Sequence, residues 1–149
     1  MGISVNIKYK LSSIDIVKFE MNANDNTSLD ISSDTLKFQY KIETLIKMSA
    51  NVIGVKSSIR FTYNETTILE VSAIINYNVD SLQEVISVDK ENHRLTSKAD
   101  ILPTFVATSY STLRGIVHAK TTETPLSKYP IPMIEVQTLM NRNAICVED

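Results

Sequence analysis

At 149 residues with 43% apolar and 21% charged side chains, the chain has the composition of one folded domain. Three glycines and four prolines argue against disorder, and a net charge of −2 excludes the basic field of a nucleic-acid binder. Cys146 is the only cysteine, which excludes an internal disulfide and disfavours a thiolate metal site.

The first residues, MGISVNIKYK, lack the apolar stretch of a signal peptide, and no window is apolar enough to span a membrane. A single domain over 1–149 in the cytoplasm is the expectation. On that footing the sequons at Asn26 and Asn64 read as chance matches.

In chain order, Val5, Ile7 and Tyr9 alternate with polar residues, and Ile14, Ile16, Val17 and Phe19 follow. The change of parity between Ile16 and Val17 predicts a bulge, or a strand buried on both faces. Asn22 to Ser33 is rich in Asn, Asp, Ser and Thr and predicts a loop. Three long strands come next. Leu36, Phe38, Tyr40, Ile42, Ile46 and Met48 share one parity against Lys37, Gln39, Lys41, Glu43 and Lys47, with Leu45 as the exception. Ile53, Val55, Ile59, Phe61 and Tyr63 repeat the device, then Leu69, Val71, Ala73, Ile75, Tyr77 and Val79, with Ile74 as the exception. Side chains alternate across a strand, so each has one apolar and one wet face. Asn64-Glu65-Thr66 predicts a hairpin turn, and the three strands an antiparallel meander.

Asp80 to Lys98 is irregular, with one helical turn at Leu82, Val85 and Ile86; His93 reads as a solvated loop residue. Pro103 opens a helix reaching Lys120, because the first turn does not need its N–H. Val106, Tyr110, Leu113 and Val117 form its apolar face. Ala107, Ser111, Gly115 and Ala119 form a row of small side chains. That row suits either close approach of another backbone or packing on the chain's own sheet. Pro125 to Pro132 predicts an extended link. Met133 to Arg142 predicts a second helix, and 144–149 a short tail.

Catalytic signals are weak. There is no glycine-rich phosphate loop, and neither His93 nor His118 has a recognisable nucleophile or carboxylate partner. Asp15 and Glu20 are carboxylates in an apolar strand, the one place for an acid–base pair. The pattern points to a binding surface, with no enzyme activity, metal or cofactor.

Three stretches resemble the SecB family of protein-export chaperones. They are Ser12 to Asn22 with its Phe19-Glu20, the hairpin Glu65 to Val79, and Leu102-Pro103 through Arg114-Gly115 to Thr124-Pro125-Leu126 and Tyr129-Pro130-Ile131-Pro132-Met133. The likeness covers about residues 3–143. Departures are Lys18 in place of a serine, Thr104-Phe105-Val106-Ala107 where the family has paired aromatic and acidic residues, and Pro132-Met133-Ile134-Glu135 for its Pro-Val-Asn-Phe run. The resemblance implies an α+β fold: a four-stranded antiparallel sheet followed by a long helix, a proline-containing link and a second helix. It implies a homotetramer, a dimer of dimers held by the first helix, which gives Ala107, Ser111, Gly115 and Ala119 a role as interface. It implies an ATP-independent holdase for unfolded polypeptides, with a client groove assigned to Phe19, Met21, Phe38, Tyr40, Tyr129, Ile131, Met133, Val136 and Met140. Among these, Phe38 and Tyr40 equally suit an ordinary core. It also implies docking on the SecA motor through an acidic sheet face, whereas the polar face here carries Lys37, Lys41, Lys47, Lys56 and Arg60 against Glu43 and Glu70 and is not acidic. SecB-like proteins also serve antitoxins in toxin–antitoxin systems. Other classes are a lipid or small-molecule cup, and a thioesterase-like enzyme, which lacks a convincing catalytic carboxylate.

Overall fold

Residues 7–22, 36–89, 91–92, 94–97 and 101–148 are described by a computed structural model. His93, Asn26, Val5 and the segment 23–35 lie outside the described residues. Strands β1 (Tyr9–Met21), β2 (Leu36–Lys47), β3 (Val52–Tyr63) and β4 (Thr66–Val79) come first. A helical turn α1 (Leu82–Val85) and a hairpin of β5 (Ile86–Asp89) and β6 (Arg94–Ser97) follow. The chain ends with helix α2 (Ile101–Thr121), a 3-10 turn at Pro125–Lys128, helix α3 (Val136–Arg142) and strand β7 (Asn143–Glu148).

The main sheet has five strands in the order β1-β4-β3-β2-β7. β2, β3 and β4 form the expected antiparallel meander, and β1 returns to pair antiparallel with β4. The expected all-antiparallel sheet of four strands is corrected here, because β7 adds a fifth strand parallel to β2. Residues 144–148, expected as tail, are strand. Thr44 Oγ1 donates to Asn143 Oδ1 at 2.8 Å and Met48 N to Glu148 O at 3.0 Å, one contact near each end. The second helix starts at Val136 instead of Met133, and the link holds a 3-10 turn where an extended run was expected. Thr124 Oγ1 caps that turn by accepting from Leu126 N. The region after Asp80 is more regular than expected, since it contains the β5–β6 hairpin.

The β3–β4 turn matches its reading. Asn64 and Glu65 both have positive φ, at 49° and 64°, as a type I′ turn requires. On one face of the sheet Ile42, Ile46, Ile53, Val55, Ile59, Val71, Ile75 and Val79 are buried. α2 packs over β3 and β4 and buries Phe105, Val106, Tyr110, Leu113 and Val117 there. The exceptions Leu45 and Ile74 stand on the opposite face, where no helix among the described residues covers them and both are half-buried. None of the helices among the described residues is long and apolar enough to cross a membrane.

Candidate functional site

Registers place the candidate strand residues on one face of the sheet. Met21 stands opposite Leu69, Leu69 opposite Phe61, and Phe61 opposite Phe38. In the next row Phe19, Val71, Ile59 and Tyr40 line up in the same way. The middle residues of both rows are buried, Leu69, Val71 and Ile59 completely. The outer residues are not: Phe19 is 41% exposed, and Met21, Phe38 and Tyr40 are half-buried. The sequence expectation joined these four in one groove; α2, lying over β3 and β4, divides it into two flanks.

The first flank is β1. The bulge expected from the parity change at Ile16 and Val17 exists, as a register shift between Ile16 and Lys18, and a second, unexpected shift lies between Leu11 and Ser13. They skip Ser12 and Val17. Tyr9, Leu11, Ile14, Ile16, Phe19 and Met21 therefore all face the α2 side although their spacing is uneven. An ordinary strand with that spacing would send Ile14 and Ile16 to the other face. β1 is an edge strand, and among the described residues nothing covers this row: Tyr9, Leu11, Ile14 and Ile16 are 46–49% exposed. The alternative of a strand buried on both faces is thus excluded. Two of the row's rings meet α2, Tyr9 edge-on to Phe105 with centroids 5.0 Å apart and Phe19 under Lys120 Nζ at 5.4 Å. Asp15 and Glu20 point to the other face and pair in register with Ile74 and Glu70, so they form no acid–base pair with each other.

The second flank lies between β2, the link and α3. Phe38 packs on Phe61 and Tyr40 on Tyr110, at 5.4 and 6.0 Å. Two side chains of α2 hold the link in place. Tyr110 Oη donates to Pro132 O at 2.9 Å, and Arg114 Nε donates to Ile131 O at 3.1 Å. A hollow of about 310 Å³ opens between α2 and the link, with Phe61, Tyr129 and Ile131 among its walls. Ile131 is buried and Tyr129 and Met140 are half-buried, whereas Met133 is 84% and Val136 41% exposed. Arg142 lies over the Tyr40 ring at 5.1 Å. Phe38, Tyr40, Tyr129, Ile131 and Met140 therefore gather on this side, apart from Phe19 and Met21. The 2-3-2-3-2 spacing of the β1 row was the sequence signal for the first flank, and its reach to Tyr9 and Leu11 was missed.

The small row does not face the sheet. Ser111, Gly115 and Ala119 are exposed and Ala107 is half-buried. A Cβ at Gly115 would meet nothing within 4 Å. Among the described residues no group of three His, Cys, Asp or Glu is placed to hold a metal ion.

Burial drives the Tyr110 hydroxyl up to about 12 from its ordinary 10.0. A raised native value favours folding below the unfolded value and loses that favour as pH climbs through the native one. Stability is thus expected to fall as pH rises from 10 towards 12. Tyr110→Phe should flatten that fall in denaturant melts at a series of alkaline pH values; an unchanged slope would assign the alkaline loss to other groups.

No protein-family model matches the chain, and no curated protein matches it in sequence. Among solved structures, a SecB-like chaperone of Mycobacterium tuberculosis, in complex with a peptide from an antitoxin, aligns over 86% of both chains. Identity is 9% and the TM-score 0.49, so the likeness carries no weight in the functional reading.

Proposed function

We propose that this chain is an ATP-independent holdase, without enzymatic activity or cofactor, that works as a dimer of dimers and takes unfolded polypeptide on the flank of β2, the link and α3. One observation carries the reading: large apolar side chains remain exposed on both sides of a helix that buries the rows between them. An ordinary monomer exposes such residues singly and scattered. Here they are contiguous along β1, and Met133 and Val136 stand beside the second flank.

The two flanks divide the work. The second flank offers adaptable methionines and half-buried aromatic rings, which suit varied client side chains. Each large apolar client side chain buried there contributes roughly 1.5–3 kcal/mol, and several such sites on one assembly raise avidity without demanding a sequence. The first flank, whose edge is unpaired among the described residues, joins a second copy, and the row Ala107, Ser111, Gly115 and Ala119 joins the two dimers. A lipid cup would need room between helix and sheet, where Phe105 stacks on Tyr77 at 4.0 Å and 3°. Delivery to an export motor is left out of the proposal, because the uncovered sheet face is not acidic.

The test combines mass measurement by light scattering with suppression of aggregation of an unfolding protein, in the absence of nucleotide. The expected result is a tetramer that suppresses aggregation. A monomer that carries a fatty ligand would overturn the reading, and a response confined to one peptide class, such as antitoxin segments, would narrow it. Gly115→Leu separates assembly from folding. The added side chain has open space within one chain, so the fold should persist while the mass drops from tetramer to dimer; an unchanged mass would remove the small row from the interface.

A further inference from the structure

The face of the sheet turned away from α2 is a second surface, built from the residues that alternate with the core. Registers put Lys18, Ser72, Ser58 and Lys41 in one cross-strand row. Its centre is low because the side chains there are small. Ser72 Oγ donates to Ser58 Oγ at 2.8 Å, and Gly54 leaves room where a Cβ would stand 2.7 Å from Asn76 Oδ1. Two hollows of about 780 and 630 Å³ share Lys41, Glu43 and Lys56, so they adjoin as one trough, which runs across the face and round the β2 edge to Phe38, Tyr40 and Arg142.

The trough is cationic in a chain whose net charge is −2. Each carboxylate in it is outnumbered. Glu70 meets Lys18 and Arg60, both at 3.1 Å. Glu43 meets Lys41 at 2.8 Å and stands opposite Lys56 in the register. The hydrogen bond from Arg60 holds Glu70 below its ordinary value, and that from Lys41 does the same for Glu43, so both are already ionised and paired at neutral pH. Lys47 and Arg142 extend the positive rim.

We propose that this trough docks an extended acidic segment of a partner polypeptide. Charge complementarity selects the occupant: the trough's cations outnumber Glu43 and Glu70 and call for carboxylates. Floor hydroxyls of Ser58 and Ser72 offer hydrogen bonds, and Leu45 and Ile74 offer apolar contact between the charges. A nucleic-acid strand fits less well. Single strands bind by stacking bases on aromatic rings; among the described residues only Phe38 and Tyr40 border the trough, at its β2 edge, and both rings are already packed, on Phe61 and Tyr110. Glu43 and Glu70 would also repel a continuous phosphate backbone.

A fluorescein-labelled oligoglutamate peptide tests the proposal by fluorescence anisotropy. Saturable binding is expected at low ionic strength and should weaken as salt screens exposed charges. The double substitution Lys41→Glu with Lys56→Glu should weaken it at least about tenfold. The same substitutions should leave aggregation suppression unchanged, which separates this surface from the holdase reading, although like charges opposed at Glu43 should lower the unfolding temperature slightly. A milder pair, Lys41→Gln with Lys56→Gln, should give an intermediate loss. No binding at low salt, equal binding to the reversed variant, or tighter binding of an oligothymidylate of the same charge would overturn the proposal.

Discussion

Phe105→Ala is expected to destabilise the fold by about 3–5 kcal/mol, the range for removing a large aromatic side chain from a packed core. Phe105 is 1% exposed and is the ring that fastens the start of α2 to the sheet. It stacks on Tyr77 with centroids 4.0 Å apart and takes Tyr9 edge-on at 5.0 Å. The neighbouring polar contacts depend on the same register. Tyr77 Oη donates to the Phe105 carbonyl at 3.2 Å and shares a 2.9 Å hydrogen bond with Ser109 Oγ. Burial holds the Tyr77 hydroxyl above its ordinary value, so it stays neutral and able to donate. Alanine would leave a cavity between α2 and β4 and free Tyr9 from its one ring contact. Domains of this size are stable by only about 5–15 kcal/mol, so the loss is a large share of the whole. Urea unfolding should show a lower midpoint with an unchanged slope. A shift of less than about 1.5 kcal/mol would mean that the helix closes on the gap or that its anchor lies elsewhere, at Leu113 and Val117.

Alternation in β2, β3 and β4 told which face each residue occupies, because a strand with one wet side must repeat every second residue. Leu45 and Ile74 broke that rule in the sequence and stand on the uncovered face in the structure. The bulge near Val17 was readable for the same reason. Periodicity reports a face and not what lies on it. Phe19 and Phe38 occupy corresponding faces of their strands, yet α2 and the link decide that one is 41% exposed and the other half-buried against Phe61. Strand β7 was not legible, since Ala144 to Val147 is too short to show a period and its parallel pairing depends on residues about one hundred positions away. The late start of α3 has a similar cause. Tyr110 and Arg114 fix the carbonyls of Pro132 and Ile131 from outside the segment, and no local pattern announces that clamp.

Ile14→Lys combined with Ile16→Lys is expected to halve the mass of the assembly while leaving the fold intact. Both side chains are nearly half exposed, at 46% and 47%, so each single chain tolerates the lysines at small cost. The reason for a large effect lies in how β1 is dressed. Strand edges exposed to water are usually guarded by charge, and β1 does carry Lys10, Asp15, Lys18 and Glu20. Register places all four on the uncovered face, next to Asn78, Ile74, Ser72 and Glu70. The α2-side row has no charge from Tyr9 to Met21. A 13-residue strand runs about 40 Å at the usual rise, a long edge to leave open beside an unguarded apolar row. A two-fold axis at that edge would bring each copy's row beside its own image. Lysines at 14 and 16 would then face lysines of the second copy, and like charges opposed across neighbouring strands repel. Light scattering reads the result directly, with circular dichroism as the check on folding. If the mass instead stays unchanged and aggregation suppression falls, the β1 row belongs to the client and not to the second copy.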